Sequence, residues 1–270
     1  MKKSKAKVIV TENCRIAEGV FSMTLQYPEN TCPQEVRPGQ FIGIYLPDRS
    51  LLLPRPISIC RWEACQRLLR VVFRTAGQGT RLLADMAPGQ ELDTIGILGN
   101  GYDLSCLEGK RVLVMGGGIG APPLLQLAAE LSERTHQTGS GSVTAVLGYR
   151  TNDLFLADEF ERFGQVVIAT EDGSAGIRGN VIDAVNSSGL TADVICACGP
   201  MPMLKAVARM AREAGILAYV SLEERMACGV GACLGCVTKT VETDSHSHVR
   251  NARICTEGPV FRADAIDWEG

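Results

Sequence analysis

Nothing in this 270-residue sequence approaches the ~20 consecutive apolar residues that a membrane-spanning helix needs. Its basic start, Met1 to Lys7, is followed by only Val8-Ile9-Val10 before Thr11-Glu12-Asn13, too short an apolar core for a signal peptide. No membrane association is expected, and the cytoplasm is the default compartment. An excess of one charge is missing as well: 27 Lys and Arg stand against 30 Asp and Glu, a net charge of −3. That balance gives no electrostatic ground for a nucleic-acid or polyanion binder. There is no internal repeat and no low-complexity tract, and 46% hydrophobic with 21% charged residues excludes bulk disorder. Histidine is scarce. His136 falls in a polar stretch after an expected helix, and His246 and His248 fall in a Ser-rich loop. All three read as solvated loop residues, so no acid–base constellation is present and no catalytic residue is nominated.

What the chain has in excess is cysteine. Eleven is a high and odd number, and without a leader it points to metal or redox chemistry rather than a disulfide framework. Four of them, Cys228, Cys233, Cys236 and Cys255, crowd the last 45 residues. Cys60, Cys65 and Cys196 read as structural.

The length suits two domains and an appendage. In the first hundred residues Phe21, Met23, Leu25 and Tyr27 alternate with polar neighbours, the period of a half-buried strand. Further strands are expected at Phe41–Leu46, Leu68–Phe73 and Glu91–Ile97, with Pro-Gly turns between and one helical stretch at Thr80–Met86. This is the pattern of a small antiparallel barrel. Beyond Leu98-Gly-Asn-Gly101 the pattern changes. Strands at Arg111–Met115, Val143–Tyr149, Val166–Ala169, Asp193–Cys198 and Leu217–Leu222 alternate with helical stretches at Pro122–Arg134, Leu154–Phe163, Val181–Ser187 and Met201–Ala214. Such alternation implies right-handed crossovers and a doubly wound parallel sheet. The expected division is therefore a barrel over residues 1–100, an α/β domain over 101–222 and a cysteine-bearing segment over 223–270.

Three motifs carry chemistry. In Cys228-Gly-Val-Gly-Ala-Cys233-Leu-Gly-Cys236, with Cys255 eighteen intervening residues on, the spacing is that of a plant-type [2Fe–2S] ferredoxin. Gly229, Gly231 and Gly235 would let the backbone wrap closely and aim N–H groups at sulfur. The alternatives are a structural zinc site or disulfides, although zinc knuckles come as paired C-x2-C and the first pair here is spaced by four. The second motif is Met115-Gly116-Gly117-Gly118-Ile119-Gly120-Ala-Pro-Pro123, between an expected strand and an expected helix, as a dinucleotide site requires. Glu171-Asp172-Gly-Ser174, with no Arg pair nearby, leans towards NAD over NADP. Third come Arg55-Pro56-Ile57-Ser58 and Gly77-Gln-Gly79-Thr80, which alone mark only a charged strand and a helix start with Thr80 as cap.

Taken in order with Cys198-Gly-Pro-Met-Pro-Met203 and Ser221-Leu-Glu-Glu-Arg-Met-Ala-Cys228, these motifs resemble the ferredoxin-reductase-like flavoproteins. Within them the chain most resembles the family of electron-transfer subunits of NAD-dependent (type B) dihydroorotate dehydrogenase. The likeness runs across nearly the whole chain, and its cysteine segment is the most specific part. It implies FAD held by Arg55, Pro56, Ile57, Ser58, Val72, Phe73, Arg74, Gly79 and Thr80. It implies NAD at Gly116, Gly117, Gly118, Ile119 and Gly120, with Cys198 either near the nicotinamide or a small buried residue ending its strand, and a [2Fe–2S] cluster on the four cysteines. Ile57 stands where many members place a flavin-stacking Tyr. Glu223 and Glu224 read as a charged strand end, and the polar stretch 237–254 is longer than the return of a ligand needs. The family further implies a partner, an FMN-containing catalytic subunit that oxidises dihydroorotate in pyrimidine (UMP) biosynthesis, in a two-plus-two heterotetramer. The competing expectations are a reductase subunit serving a ferredoxin, hydrogenase or oxygenase partner, and a zinc-stapled dinucleotide sensor.

Overall fold

The computed structural model describes residues 4–48, 50–244 and 248–269. It opens with a long strand, β1 (Ser4–Ala17), in which Ala6, Val8 and Val10 are buried while Lys5, Lys7 and Ile9 face outward. The basic start is thus one half of a cross-strand charge pattern. Lys5 pairs with Asp93 at 3.1 Å and Lys7 with Glu91 at 3.2 Å. Then follow β2 (Val20–Gln26), β3 (Phe41–Tyr45), β4 (Arg55–Glu63), β5 (Leu68–Arg74), α1 (Gln78–Ala84) and β6 (Glu91–Leu98). The six strands close into an antiparallel barrel in the order β1-β2-β5-β4-β3-β6. Met23, Leu25, Ile42, Ile44, Leu69 and Val71 fill it, and each such burial contributes about 1.5–3 kcal/mol.

The second half contains β7 (Arg111–Gly117), α2 (Pro122–Thr138), β8 (Ser142–Tyr149), α3 (Ala157–Glu161), β9 (Gln165–Thr170) and β10 (Ile177–Arg178). It continues with α4 (Val181–Ser187), β11 (Val194–Cys198), α5 (Met201–Ala214) and β12 (Leu217–Ser221). The strands form a parallel sheet in the order β10-β9-β8-β7-β11-β12, so the winding reverses between β7 and β11. Alternate residues serve opposite faces: Val112 and Val114 join a core with α2 and the barrel, whereas Leu113 and Met115 join one with α4 and α5. The last segment adds a hairpin, β13 (Val237–Lys239) with β14 (Asn251–Arg253), and an edge strand, β15 (Val260–Arg262), antiparallel to β12.

The barrel and the sheet are clamped together. Arg70 on β5 makes a two-pronged ion pair with Glu159 on α3, at 2.7 and 3.0 Å, and its Nε donates to Ser22 at 2.7 Å. The Glu18 N–H donates to Asp153 at 2.9 Å.

Three expectations need correction. The helix α3 is half the expected length because Leu156 is left-handed (φ 68°) and the Phe155 carbonyl accepts from the Tyr149 hydroxyl instead of a helical N–H. His136 is exposed but lies in the last turn of α2, which runs on to Gly139, rather than in a loop. Thr80 is not the helix cap: Gly77 holds that place, and the Thr80 hydroxyl reaches back to accept from Ala76 and Gly77 N–H at 2.9 and 3.1 Å. His248 is exposed, and His246 lies outside the described residues.

Candidate functional site

Three places concentrate the motifs. The first is an opening in the barrel wall. Pairing between β4 and β5 stops at Ile59 with Val71, so Arg55–Ser58 and Val72–Arg74 run on unpaired with each other. Each still pairs on its other side, with β3 and β2. The two segments thus form the lips of one slot. Side chains of Val72 and Phe73 are buried in neighbouring cores, Phe73 stacked on Phe21 at 6.0 Å, while Arg74 is exposed. Ile57 is half-buried against the barrel core. At the slot's end the Arg55 guanidinium lies over α1. A methyl group on Gly79 would stand 2.2 Å from Arg55 Nε, so only glycine permits that approach. A cation held above a bare helical turn matches the charge and shape of a pyrophosphate.

The second place is the carboxyl edge of the sheet at the reversal of winding, where doubly wound folds bind their ligands. The turn after β7 approaches the end of β11 closely. A methyl group on Gly120 would meet the Cys198 carbonyl oxygen at 2.3 Å. Pro122 and Pro123 occupy the first positions of α2 and offer no N–H there. Cys198 is buried, and burial raises its pKa well above the usual thiol range, with Glu223 and the Ser221 hydroxyl close by. Glu223 is exposed as a residue, yet desolvation around its carboxyl raises its pKa.

Cysteines make the third place. Three ligand-loop residues have positive φ: Gly229 (66°), Gly231 (87°) and Leu234 (57°). Such a winding turns backbone N–H groups inward. Val230 and Ala232 donate to Cys228 Sγ at 3.4 and 3.3 Å, and Gly235 donates to Cys233 Sγ at 3.4 Å. Burial pushes the Cys228 thiol up, but the N–H groups of Val230, Cys233 and Ala232 and the Cys233 side chain outweigh it and bring its pKa down to about 6. Cys255 behaves oppositely, held above the usual thiol range by burial and then by Cys236.

The hairpin explains the long stretch between the third and fourth cysteines. Val237 pairs with Arg253, and Ile254 N–H donates to the Cys236 carbonyl at 2.8 Å, which delivers Cys255 beside Cys236. The Glu257 carboxylate locks the returning turn by accepting from Arg253 N and Nε at 2.6 and 2.8 Å. Cys228 interacts with Cys233 and Cys255 with Cys236, and Cys255 also feels Cys228. Among the described residues no three His, Cys, Asp or Glu side chains converge on one metal-ion position. Four thiols, three of them spaced C-x4-C-x2-C on one loop, suit a binuclear cluster. Among the described residues the buried Thr256 hydroxyl, beside Gly231, has no hydrogen-bond partner, as fits a donor whose acceptor belongs to a bound group.

Sequence reasoning missed how this segment is seated. Asn100 donates through Nδ2 to the Thr256 and Glu257 carbonyls, both at 3.1 Å, and through its N–H to the Gly258 carbonyl at 2.6 Å. Cys236 and Cys255 are buried in one core with Phe41 and Leu98 at the barrel's end. Leu98 pairs with Phe41 and Phe41 with Ser58, so Leu98, in the core that holds Cys236 and Cys255, lies two inter-strand spacings, roughly 10 Å, from the slot lip at Ser58.

Residues 223–267 match the iron–sulfur cluster binding domain of dihydroorotate dehydrogenase B. The chain is 38% identical over 267 residues to a dihydroorotate dehydrogenase B (NAD(+)) electron transfer subunit from Fusobacterium nucleatum, covering 96% of this chain and 97% of that one. A counterpart from Geobacillus sp. is 41% identical over 263 residues, with the same coverage. The chain belongs to this family of electron transfer subunits. Among solved structures, an NADH-dependent reduced ferredoxin–NADP oxidoreductase superposes with a TM-score of 0.84 at 30% identity, covering 97% of this chain and 90% of that one. Membership accounts for a barrel, a parallel sheet and a cysteine segment in one chain. None of the helices described is long and apolar enough to cross a membrane.

Proposed function

We propose that the chain is the electron transfer subunit of an NAD-dependent dihydroorotate dehydrogenase, acting in the cytoplasm. Dihydroorotate is oxidised at FMN in a catalytic partner subunit, and the electrons leave through a [2Fe–2S] cluster and FAD of this chain to NAD+. When bound, FAD supplies the exchange between one-electron and hydride chemistry that the other two groups cannot make between themselves. The observation that carries the proposal is the four-cysteine segment packed into one core with Leu98, whose strand lies two inter-strand spacings from the slot lip at Ser58.

Cys228, Cys233, Cys236 and Cys255 are the proposed cluster ligands, with the N–H groups of Val230, Ala232 and Gly235 stabilising charge on sulfur. Arg55 is proposed to neutralise the FAD pyrophosphate over Gly79, Thr80 to fix the loop that presents it, and Ser58 and Ile57 to border the flavin ring. Pro56 keeps the slot-side edge of β4 in extended backbone, and Val72, Phe73 and Arg74 form the opposite lip. Gly116 to Gly120 are the proposed dinucleotide turn, and Cys198 borders the nicotinamide. The barrel, sheet and cysteine segment at 1–100, 101–222 and 223–270 are the proposed domains, and two copies of each subunit the proposed assembly.

The likeness to a reduced ferredoxin–NADP oxidoreductase keeps a second reading in view, a reductase whose one-electron partner is a ferredoxin. One experiment separates them. The complex purified through a tag on this chain is given dihydroorotate and NAD+ without oxygen, and NADH is followed. NADH formation that requires this subunit is expected. No NADH, together with reduction of an artificial dye by added NADH, would overturn the dihydroorotate assignment in favour of the ferredoxin reading.

A further inference from the structure

Four of the eight large apolar side chains exposed among the described residues, Leu234, Val237, Val241 and Val249, fall within sixteen residues of the cysteine segment. Leu234 stands out: it is 61% exposed and lies between two cysteines. Its backbone is left-handed, a conformation that L-residues adopt at a cost and glycine adopts freely. The other two positive-φ positions of the loop are glycines, so the loop meets this requirement with glycine twice and with leucine once. Nothing in the chain's own core repays the exception, because the side chain points to solvent.

Burial of the cysteines is lopsided. Cys236 and Cys255 are buried and Cys228 is half-buried, while Cys233 is exposed. A protein exchanging single electrons with this site must therefore approach over the Cys233 edge. A stable partner covers about 800 Å² on each side, a patch roughly 30 Å across. Leu234 adjoins Cys233, and Val237 lies three residues further on, at most about 10 Å along the chain. Any such footprint centred on Cys233 contains both.

We infer that Leu234, flanked by Val237, is the apolar anchor on which the FMN-bearing catalytic subunit docks. This rests on the function proposed above and adds the residue that fixes where the partner sits. The interface then follows the usual plan, an apolar side chain at the centre seated in a pocket of the partner and a polar rim around it, here Lys239 and Arg250 on the hairpin.

The test uses Leu234→Gly in the full chain loaded with FAD and cluster. Glycine removes the anchor and relieves the left-handed backbone, so folding and docking should move in opposite directions. The thermal midpoint should stay level or rise, and the Kd for the catalytic subunit, measured on parent and variant samples matched for iron and FAD content, should rise on the order of 10- to 100-fold. Dihydroorotate-driven NADH formation should fall at low partner concentration and recover at saturation. Val237→Ser should weaken binding in the same direction. An unchanged Kd for Leu234→Gly, with the parent complex forming and turning over, would overturn the docking assignment alone. If the parent chain binds no catalytic subunit, the functional reading falls and docking falls with it. A parent chain that self-associates through Leu234 by sedimentation would assign this patch to a second copy instead.

Discussion

Gly79→Ala is expected to strengthen α1 while loosening the hold on FAD. Gly79 is the second residue of that helix, and its φ is not left-handed, so alanine fits the backbone. Alanine in a helix gains up to about 1 kcal/mol over glycine, less near an end. The added methyl, however, would stand 2.2 Å from Arg55 Nε, 2.9 Å from Cζ and 3.0 Å from Nη2. Arg55 is flexible at that end and can swing away, so the apoprotein escapes the clash, but the guanidinium then leaves the proposed pyrophosphate position. A charge-assisted hydrogen bond is worth about 1.5–3 kcal/mol, which corresponds to roughly a 10- to 100-fold rise in the Kd for FAD. Flavin fluorescence titration of the apoprotein measures this, and thermal unfolding of the same apoprotein measures the opposite effect. Arg55→Ala should cost about as much alone, and the double variant should cost little more, since both changes remove one contact. A Kd for FAD within twofold of the parent would refute the argument, as would full additivity of the two changes.

In Gly120→Ala the obstacle is backbone, the Cys198 carbonyl at 2.3 Å, so relief requires the two strand ends to part. A loss of about 1–3 kcal/mol in urea unfolding is expected, with a raised KM for NADH in dye reduction; a normal KM would show that the turn does not seat the nucleotide. Glu159→Gln removes the charged partner of Arg70, whose pair is 23% and 31% exposed, and should cost about 1–2 kcal/mol in urea unfolding. A change below about 0.3 kcal/mol would mean the clamp contributes nothing to joining the two halves. Asp193 is held down to about pKa 2 by the Arg111 side chain and then its backbone N–H, from an ordinary 3.8. Its folded pKa is depressed, so its contribution is full above pH 3.8 and lost as the pH falls to about 2. Asp193→Asn should flatten the acid limb of the stability–pH curve between those values, and an unaltered limb would count against it.

Local patterns read well because they report what a contiguous stretch of backbone needs. The C-x4-C-x2-C spacing, the glycine turn before Pro122 and the strand–helix alternation after Gly101 all belong to this kind, and α4 and α5 match the residues expected from periodicity alone. The Ala6, Val8, Val10 alternation was equally present in the sequence and marks β1, although its lysines draw the eye first. Where helical spacing misleads, at Leu154–Phe163, a tertiary hydrogen bond to Tyr149 takes the Phe155 carbonyl out of the ladder.

Only the folded chain decides which distant stretches meet. The slot exists because β4 and β5 stop pairing after Ile59 and Val71, and no residue type marks that point. Cys255 meets Cys236 because the β13–β14 register brings it back across eighteen residues. Leu98-Gly-Asn-Gly101, which by itself reads as a boundary, is the strip on which the cysteine segment sits, through Asn100 and the turn at Gly258. The sequence by itself determined the ligand types and the kinds of turn, since these are demands of neighbouring atoms along the chain. Their distances and exposure, with Cys233 the one exposed residue of the four motif cysteines, come from the fold, because register and packing couple residues that lie far apart along the chain.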